Sequence, residues 1–280
     1  METALQVEHL CVKLGSFQLK DLSLTLPAGS VMGLIGRNAA GKTTFLNSIL
    51  DLHDGTGNVS FYGKKLKKNR IQVCQDIAYV PAVSDHPNNI KIKKLCSIEQ
   101  SFYPNFAMAL MRKLCDAGSI DMNVYPSKLS LGQQKLLQLS MAICRRPRLL
   151  ILDEPMANLD PITRRKIMDL LLKFMEKEDH AILISSHLLS DLEKIMDEVV
   201  LMDQGTFRLQ ENINRLQEYY YEVVCSKEER EHLDPGIIIG EQTGGLLCCV
   251  KDEKELMGLR HQRADLETIM CYVCGRSAAK

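Results

Sequence analysis

Gly36-Arg37-Asn38-Ala39-Ala40-Gly41-Lys42-Thr43 decides the fold of this chain. It fits the phosphate-loop pattern GxxxxGK[ST], and its surroundings are what that pattern requires. Ser30 to Ile35 is a short apolar run ending in glycine, and Thr43 to Leu52 places Phe45, Leu46, Ile49 and Leu50 at helical spacing, so strand, turn and helix follow one another directly. The residue types have a chemical reason. Glycines let backbone N–H groups turn inward around phosphates, Lys42 meets the charge of the β- and γ-phosphates, and Thr43 offers an oxygen to Mg2+. The whole stretch from Gly36 through Arg37, Asn38, Ala39, Ala40, Gly41, Lys42 and Thr43 to Thr44 is the candidate nucleotide cradle.

The acids that complete such a site lie further on. Leu149 to Leu152 is an apolar strand ending in Asp153-Glu154-Pro155. An aspartate at the tip of a neighbouring parallel strand reaches the Mg2+ shell, and the next acid polarises an attacking water, so Asp153 is expected to hold the metal and Glu154 the water. The helical stretch from Pro161 to Lys177 and the strand Ala181 to Ile184 make a βαβ unit with it, and Val199 to Met202 adds a strand.

Working outward, Leu10, Val12 and Leu14, then Leu22, Leu24 and Leu26, alternate as paired strands joined near Gly15-Ser16. Between Lys91 and Cys144 the apolar residues keep helical spacing, broken at Pro104, Gly118 and Pro126, which reads as a helical insertion over about 91–145. Beyond Asn212 the composition shifts. Residues 213–280 hold nine Lys and Arg against twelve Asp and Glu, a charge of −3 that leaves +3 for the rest. The expected organisation is a 1–212 domain that carries this loop, followed by a 213–280 accessory domain of a small β unit and helices.

Composition narrows the function classes. The 280 residues carry 35 Lys and Arg against 35 Asp and Glu, with 45% hydrophobic residues. That is a globular composition without the basic excess of a protein held to nucleic acid by phosphate contacts, so no nucleic-acid partner is expected. No run of about 18 apolar residues is present, and Met-Glu-Thr-Ala opens without a signal-peptide pattern. A cytoplasmic chain is expected, with its ten cysteines reduced.

Leu129-Ser130-Leu131-Gly132-Gln133-Gln134, Asn158-Leu159-Asp160-Pro161 and Ser185-Ser186-His187 join the loop and the acidic strand in a fixed order over residues 36–187. Together these five motifs resemble those of ATP-binding cassette (ABC) ATPases. The resemblance implies a P-loop NTPase (RecA-like) α/β core with an antiparallel β subdomain, a helical subdomain and a small α+β C-terminal domain. It also implies two subunits that sandwich two ATP molecules, each γ-phosphate lying between the phosphate loop of one and the signature of the other. Ser130, Gly132, Gln133 and Asp160 would then serve nucleotide across the interface, and Lys42, Glu154 and His187 would be catalytic. Ser130 supplies a hydroxyl, Gly132 permits close approach, and the helix starting there points its positive end at phosphate. Phe102-Tyr103-Pro104 and Asp265-Leu266-Glu267-Thr268-Ile269-Met270 are similar to the subgroup serving small bacterial exporters of drugs and antimicrobial peptides.

Three positions depart from the family pattern: Leu131 for a glycine, Ala82 for a Gln or Glu in Ile77-Ala78-Tyr79-Val80-Pro81-Ala82, and Leu14 for an aromatic that stacks on adenine. Ser84 or Asp85 would stand in for the second; Phe17 is a substitute for the third, with packing against the β edge as its leading role. The expected activity is ATP hydrolysis with ATP and Mg2+, coupled to export through a separate membrane permease that attaches the chain to the inner face of the cell membrane. The second ABC subunit is an identical or a different chain. Rival readings are a soluble ABC ATPase acting on ribosome or DNA, and a regulatory subunit that hydrolyses weakly. Lys64 to Arg70 reads as a solvated lysine-rich loop between strands, and Cys271-Tyr272-Val273-Cys274 as helix core.

Overall fold

The computed structural model describes residues 2–83, 86–87, 89–187, 192–225, 238–242, 245–250 and 261–278. Its centre is a six-stranded sheet in the order β10-β9-β3-β8-β7-β6, made from β3 (Val31–Ile35), β6 (Ile77–Val80), β7 (Leu149–Asp153), β8 (Ala181–Ser186), β9 (Glu198–Asp203) and β10 (Thr206–Asn212). All pairs are parallel except the β9–β10 edge. The central strands β3, β7 and β8 are buried at every position, which is why they read as continuous apolar runs rather than alternating ones.

Period-two geometry then divides the sheet between two cores. Met32, Leu34, Leu149, Ile151 and Leu183 face a cluster shared with helix α1 (Lys42–Ile49) and the strands β1 (Thr3–Leu14) and β2 (Phe17–Pro27). Val31, Ile35, Leu150, Leu152 and Ile184 face the other cluster, with helices α3 (Ile92–Phe102), α4 (Met108–Ala117), α5 (Leu131–Cys144) and α6 (Pro161–Phe174). Burying each leucine or isoleucine contributes about 1.5–3 kcal/mol, so both faces of the site-bearing strands are held against slippage. A second sheet, β2-β1-β4-β5, adds β4 (Gly55–Phe61) and β5 (Lys64–Lys65) beside the first.

A third sheet, β12-β13-β11-β14, is built from β11 (Tyr221–Cys225), β12 (Ile238–Gln242), β13 (Gly245–Val250) and β14 (His261–Arg263). Helix α7 (Ile213–Tyr219) leads into it and α8 (Leu266–Ala278) follows it. Ile213, Leu216, Tyr220, Val223, Leu266 and Ile269 belong to the same apolar cluster as the helical side of the main sheet.

Several expectations change. Strand β7 does not neighbour β3; β8 lies between them. Lys64 to Arg70 is not a plain loop between strands: it holds β5 and opens helix α2 (Arg70–Asp76), with Lys64 Nζ 3.0 Å from Asp76 Oδ2 and Lys67 Nζ 3.4 Å from Asp51 Oδ1. Helix α6 stops at Phe174, short of Lys177. Cys271 is exposed rather than packed in the core. The seven cysteines with described side chains are free thiols, and burial pushes those of Cys96 and Cys144 up to about 12. Ser84 and Asp85 lie outside the described residues.

Candidate functional site

The loop between β3 and α1 is shaped by two glycines. A Cβ on Gly36 would run into the Met202 carbonyl oxygen, and one on Gly41 would sit 2.6 Å from Phe17 Cζ. Gly41 also holds φ 111°, the left-handed region, as it caps α1. The chain therefore turns tightly enough to aim successive N–H groups into one concavity. That concavity is a cleft of about 390 Å³ lined by Leu14, Phe17, the loop from Asn38 to Thr44, and Glu154. Phe17 has a double placement, against the β edge and on the cleft wall.

Lys42 is only 6% exposed, and its ammonium donates to the carbonyls of Gly36 at 2.7 Å and Arg37 at 3.4 Å. It also lies 3.2 Å from Glu154 Oε1. The register of the sheet brings in the rest. Ile35 pairs with Ser186 and Asp153 with Ser185, so β3, β8 and β7 end level. Asp153 is fully buried, accepting from Ser185 Oγ at 2.5 Å and from Thr43 Oγ1 at 2.8 Å. Ser185 thus fixes one oxygen of Asp153 while Thr43 meets the other, a role for Ser185 that the sequence motif alone does not show. Its hydroxyl and carbonyl also accept from the Glu154 N–H, at 3.0 and 3.2 Å. Glu154 turns out of β7 at φ 46° and places Oε2 2.8 Å from His187 Nδ1.

One carboxylate is therefore held between a buried ammonium and an imidazole, beside a hydroxyl and carboxyl pair. Thr43 Oγ1 and Asp153 Oδ2 are hard oxygens side by side at the rim of the loop, and among the described residues no group of three His, Cys, Asp or Glu gathers around an ion position. Two protein oxygens, with substrate phosphates and water completing the shell, are the donor set that suits Mg2+.

The other sequence-predicted residues are elsewhere. Ser130, Gly132, Gln133 and Asp160 do not line the cleft. Ser130 caps α5 in a capping box: its hydroxyl accepts from Gln133 N at 3.3 Å, and the Gln133 side-chain oxygen Oε1 accepts from Ser130 N at 3.1 Å. A Cβ on Gly132 would stand 3.0 Å from Thr163 Oγ1, so this glycine lets α5 approach the start of α6. Leu131 is half exposed beside them.

Asp160 caps α6, accepting from Ile162 N and Thr163 N at 3.0 Å each and from Thr163 Oγ1 at 2.7 Å. The Thr163 hydroxyl and then the backbone N–H groups hold its carboxyl below the usual value. A depressed pKa contributes stability above the unfolded value and loses it as pH falls through the folded one. Asp160→Ala is accordingly expected to lower the thermal midpoint at neutral pH, with the deficit closing only below about pH 4. Thermal scans of both proteins from pH 7 to 3 check this; a deficit independent of pH would contradict it.

Comparison with known proteins agrees with this geometry. Residues 19–157 match the family model described as ABC transporter. The chain is 31% identical over 210 residues to the ABC transporter ATP-binding protein YtrB of Bacillus subtilis, covering 75% of this chain and 72% of that one. The chain belongs to the ABC transporter family. A second ABC relative, the bacitracin transport ATP-binding protein BcrA of Enterococcus faecalis, is 30% identical over 77% of this chain and 71% of its own. Among solved structures, one described as an ATP-binding subunit of an ABC transporter superposes with a TM-score of 0.71 at 21% identity, over 77% of this chain and 92% of its own. This ABC chain is thus a nucleotide-binding, ATP-hydrolysing subunit of a transporter, and among its described residues no helix is long and apolar enough to cross a membrane.

Proposed function

We propose that this subunit pairs with a second ABC subunit, closes on ATP and uses its hydrolysis to drive export through a separate membrane permease. The observation that carries the reading is the convergence of Lys42, Thr43, Asp153, Glu154 and His187 at the level ends of β3, β7 and β8, with the loop cleft beside them.

In this reading the N–H groups from Asn38 to Thr44 donate to the phosphates, and the Lys42 ammonium leaves the Gly36 and Arg37 carbonyls for the β- and γ-phosphates. Leu14 and Phe17 form the apolar wall available to adenine. Thr43 and Asp153 would hold Mg2+, which supplies neutralisation of the phosphate charge. Glu154 accepts the proton of the attacking water. His187, with Nδ1 on Glu154, fixes the carboxylate and leaves Nε2 for the γ-phosphate. Ser130, Gly132 and Gln133 begin a helix away from the chain's own cleft, which suits service to a second subunit's nucleotide. Asp160, capping the adjacent α6, belongs to the same face.

The permease would dock where the chain leaves the sheet for the helical insertion. Val83 and Phe102 are 78% and 70% exposed there, unusual for large apolar side chains, and Gln75 Nε2 donates to the Phe102 carbonyl at 3.2 Å to hold α2 against the end of α3. Glu99 is not free for a partner, because Arg145 binds it through two bonds of 2.6 and 2.7 Å.

The test has three parts. Mg-ATP titration of the purified subunit is expected to saturate, and a photo-crosslinker at position 82 in native membranes is expected to capture a polytopic membrane protein. Inside-out vesicles holding both should then accumulate cargo only with ATP. Absence of Mg-ATP uptake, with or without the membrane protein, overturns the reading.

A further inference from the structure

Strand β6 ends at Val80, and Pro81-Ala82-Val83 carries the chain toward the helical insertion. Lys135, in the second turn of α5, is 5% exposed, and its ammonium donates to the carbonyls of Pro81, at 3.3 Å, and of Ala82. A lysine this deep needs a compensating environment. Val80 pairs with Leu152, which sets Pro81 level with Asp153 at the end of β7, so the ammonium bound to the Pro81 carbonyl lies on the side of the acids. Burial pulls its pKa down, and the charges of Asp153 and Glu154 oppose that shift. Ala82 itself has no polar side chain to send toward them. Three residues further along the same helix, Gln138 is 4% exposed and neither polar atom of its amide has a partner. A helix with a lysine bridging two segments and an unpaired buried amide one turn on is poorly explained by stability alone.

We propose that Lys135 is a positioning residue for ATP hydrolysis. Tethered to the Pro81 and Ala82 carbonyls, it ties the segment leaving β6 to α5 and presents a fixed positive charge to Asp153 and Glu154. It sets the turnover of bound ATP while leaving ATP affinity nearly unchanged. This rests on the hydrolytic role assigned above to Asp153 and Glu154.

A purely structural lysine predicts a different result, a lowered thermal midpoint with the kcat of the folded variant at the parental value. The experiment compares the full chain with Lys135→Met, Lys135→Gln and Lys135→Arg, reading kcat, KM, ATP titration and thermal midpoint in each. Expected for Met and Gln is a fall in kcat of about 10- to 100-fold, the scale of a misplaced catalytic group, with KM and ATP affinity within about threefold. Arginine, which keeps the charge and donates to both carbonyls, should recover most of the loss. Glutamine keeps a hydrogen bond to the carbonyls without charge, so it stands in for methionine if that variant does not fold. A folded Met or Gln variant with parental kcat overturns the proposal, as does a loss of kcat matched by loss of ATP affinity. Failure of the parent chain to bind and turn over ATP would instead overturn the assignment of Asp153 and Glu154, and the two failures are read from separate samples.

Discussion

Glu154→Gln is expected to cut ATP turnover by about 10²- to 10⁴-fold, the usual contribution of a positioned general base, while ATP binding persists. The amide keeps the size of the carboxyl group and an oxygen that accepts from Lys42, now 3.2 Å from Oε1, so the loop is not disturbed. What disappears is the basicity toward water and the charge that His187 Nδ1 meets at 2.8 Å. The parent carboxylate also repels an incoming γ-phosphate, and an amide does not. The variant should therefore bind ATP at least as well as the parent and accumulate as an ATP-bound dimer. Phosphate release assays report the rate, and size-exclusion chromatography with and without ATP reports the dimer. Turnover at the parent rate would remove Glu154 from the role proposed for it.

The nucleotide loop and the acidic strand were legible in the sequence because both are local. Glycines, lysine and threonine at fixed spacing shape a single turn, and five consecutive buried residues precede Glu154. Legibility fails where the determinant lies across the fold. Ser185 meets Asp153 only because β8 pairs with β7 and lies between it and β3. Lys135 meets Pro81 across a separation of 54 residues, so a helical lysine reads as surface until the contact is seen. Edge elements are the other blind spot. Gly55–Phe61 and Thr206–Asn212 are largely polar and only partly buried strands, without the apolar alternation that marks a strand with one face in the core. The signature region was legible as a motif, but its local chemistry is already used. Ser130 closes a capping box and Gly132 makes room for Thr163, so each residue meets a folding requirement as well as the cross-subunit one proposed.

That double use shapes the second large effect. Lys42→Met is expected to weaken ATP binding about 10²- to 10⁴-fold, because two charge-assisted hydrogen bonds to phosphate, each about 1.5–3 kcal/mol, are lost together. Folding should survive, since the methionine fills the 6% exposed site and His187 Nδ1 still meets the Glu154 carboxylate at 2.8 Å. Gly132→Asp is the complementary lesion. Its Cβ would press on Thr163 Oγ1 at 3.0 Å and its carboxylate would repel phosphate at the helix start, leaving the loop of its own chain intact. If each nucleotide lies between the loop of one chain and the signature of another, the two inactive variants repair one another. A mixed dimer then pairs the sound loop of the Gly132→Asp chain with the sound signature of the Lys42→Met chain. Mixing the purified variants, each silent alone, should restore part of the parent's phosphate release. Silence of the mixture, from a parent chain that turns over ATP on its own, would mean that the helix start at Ser130 does not serve a second copy's nucleotide.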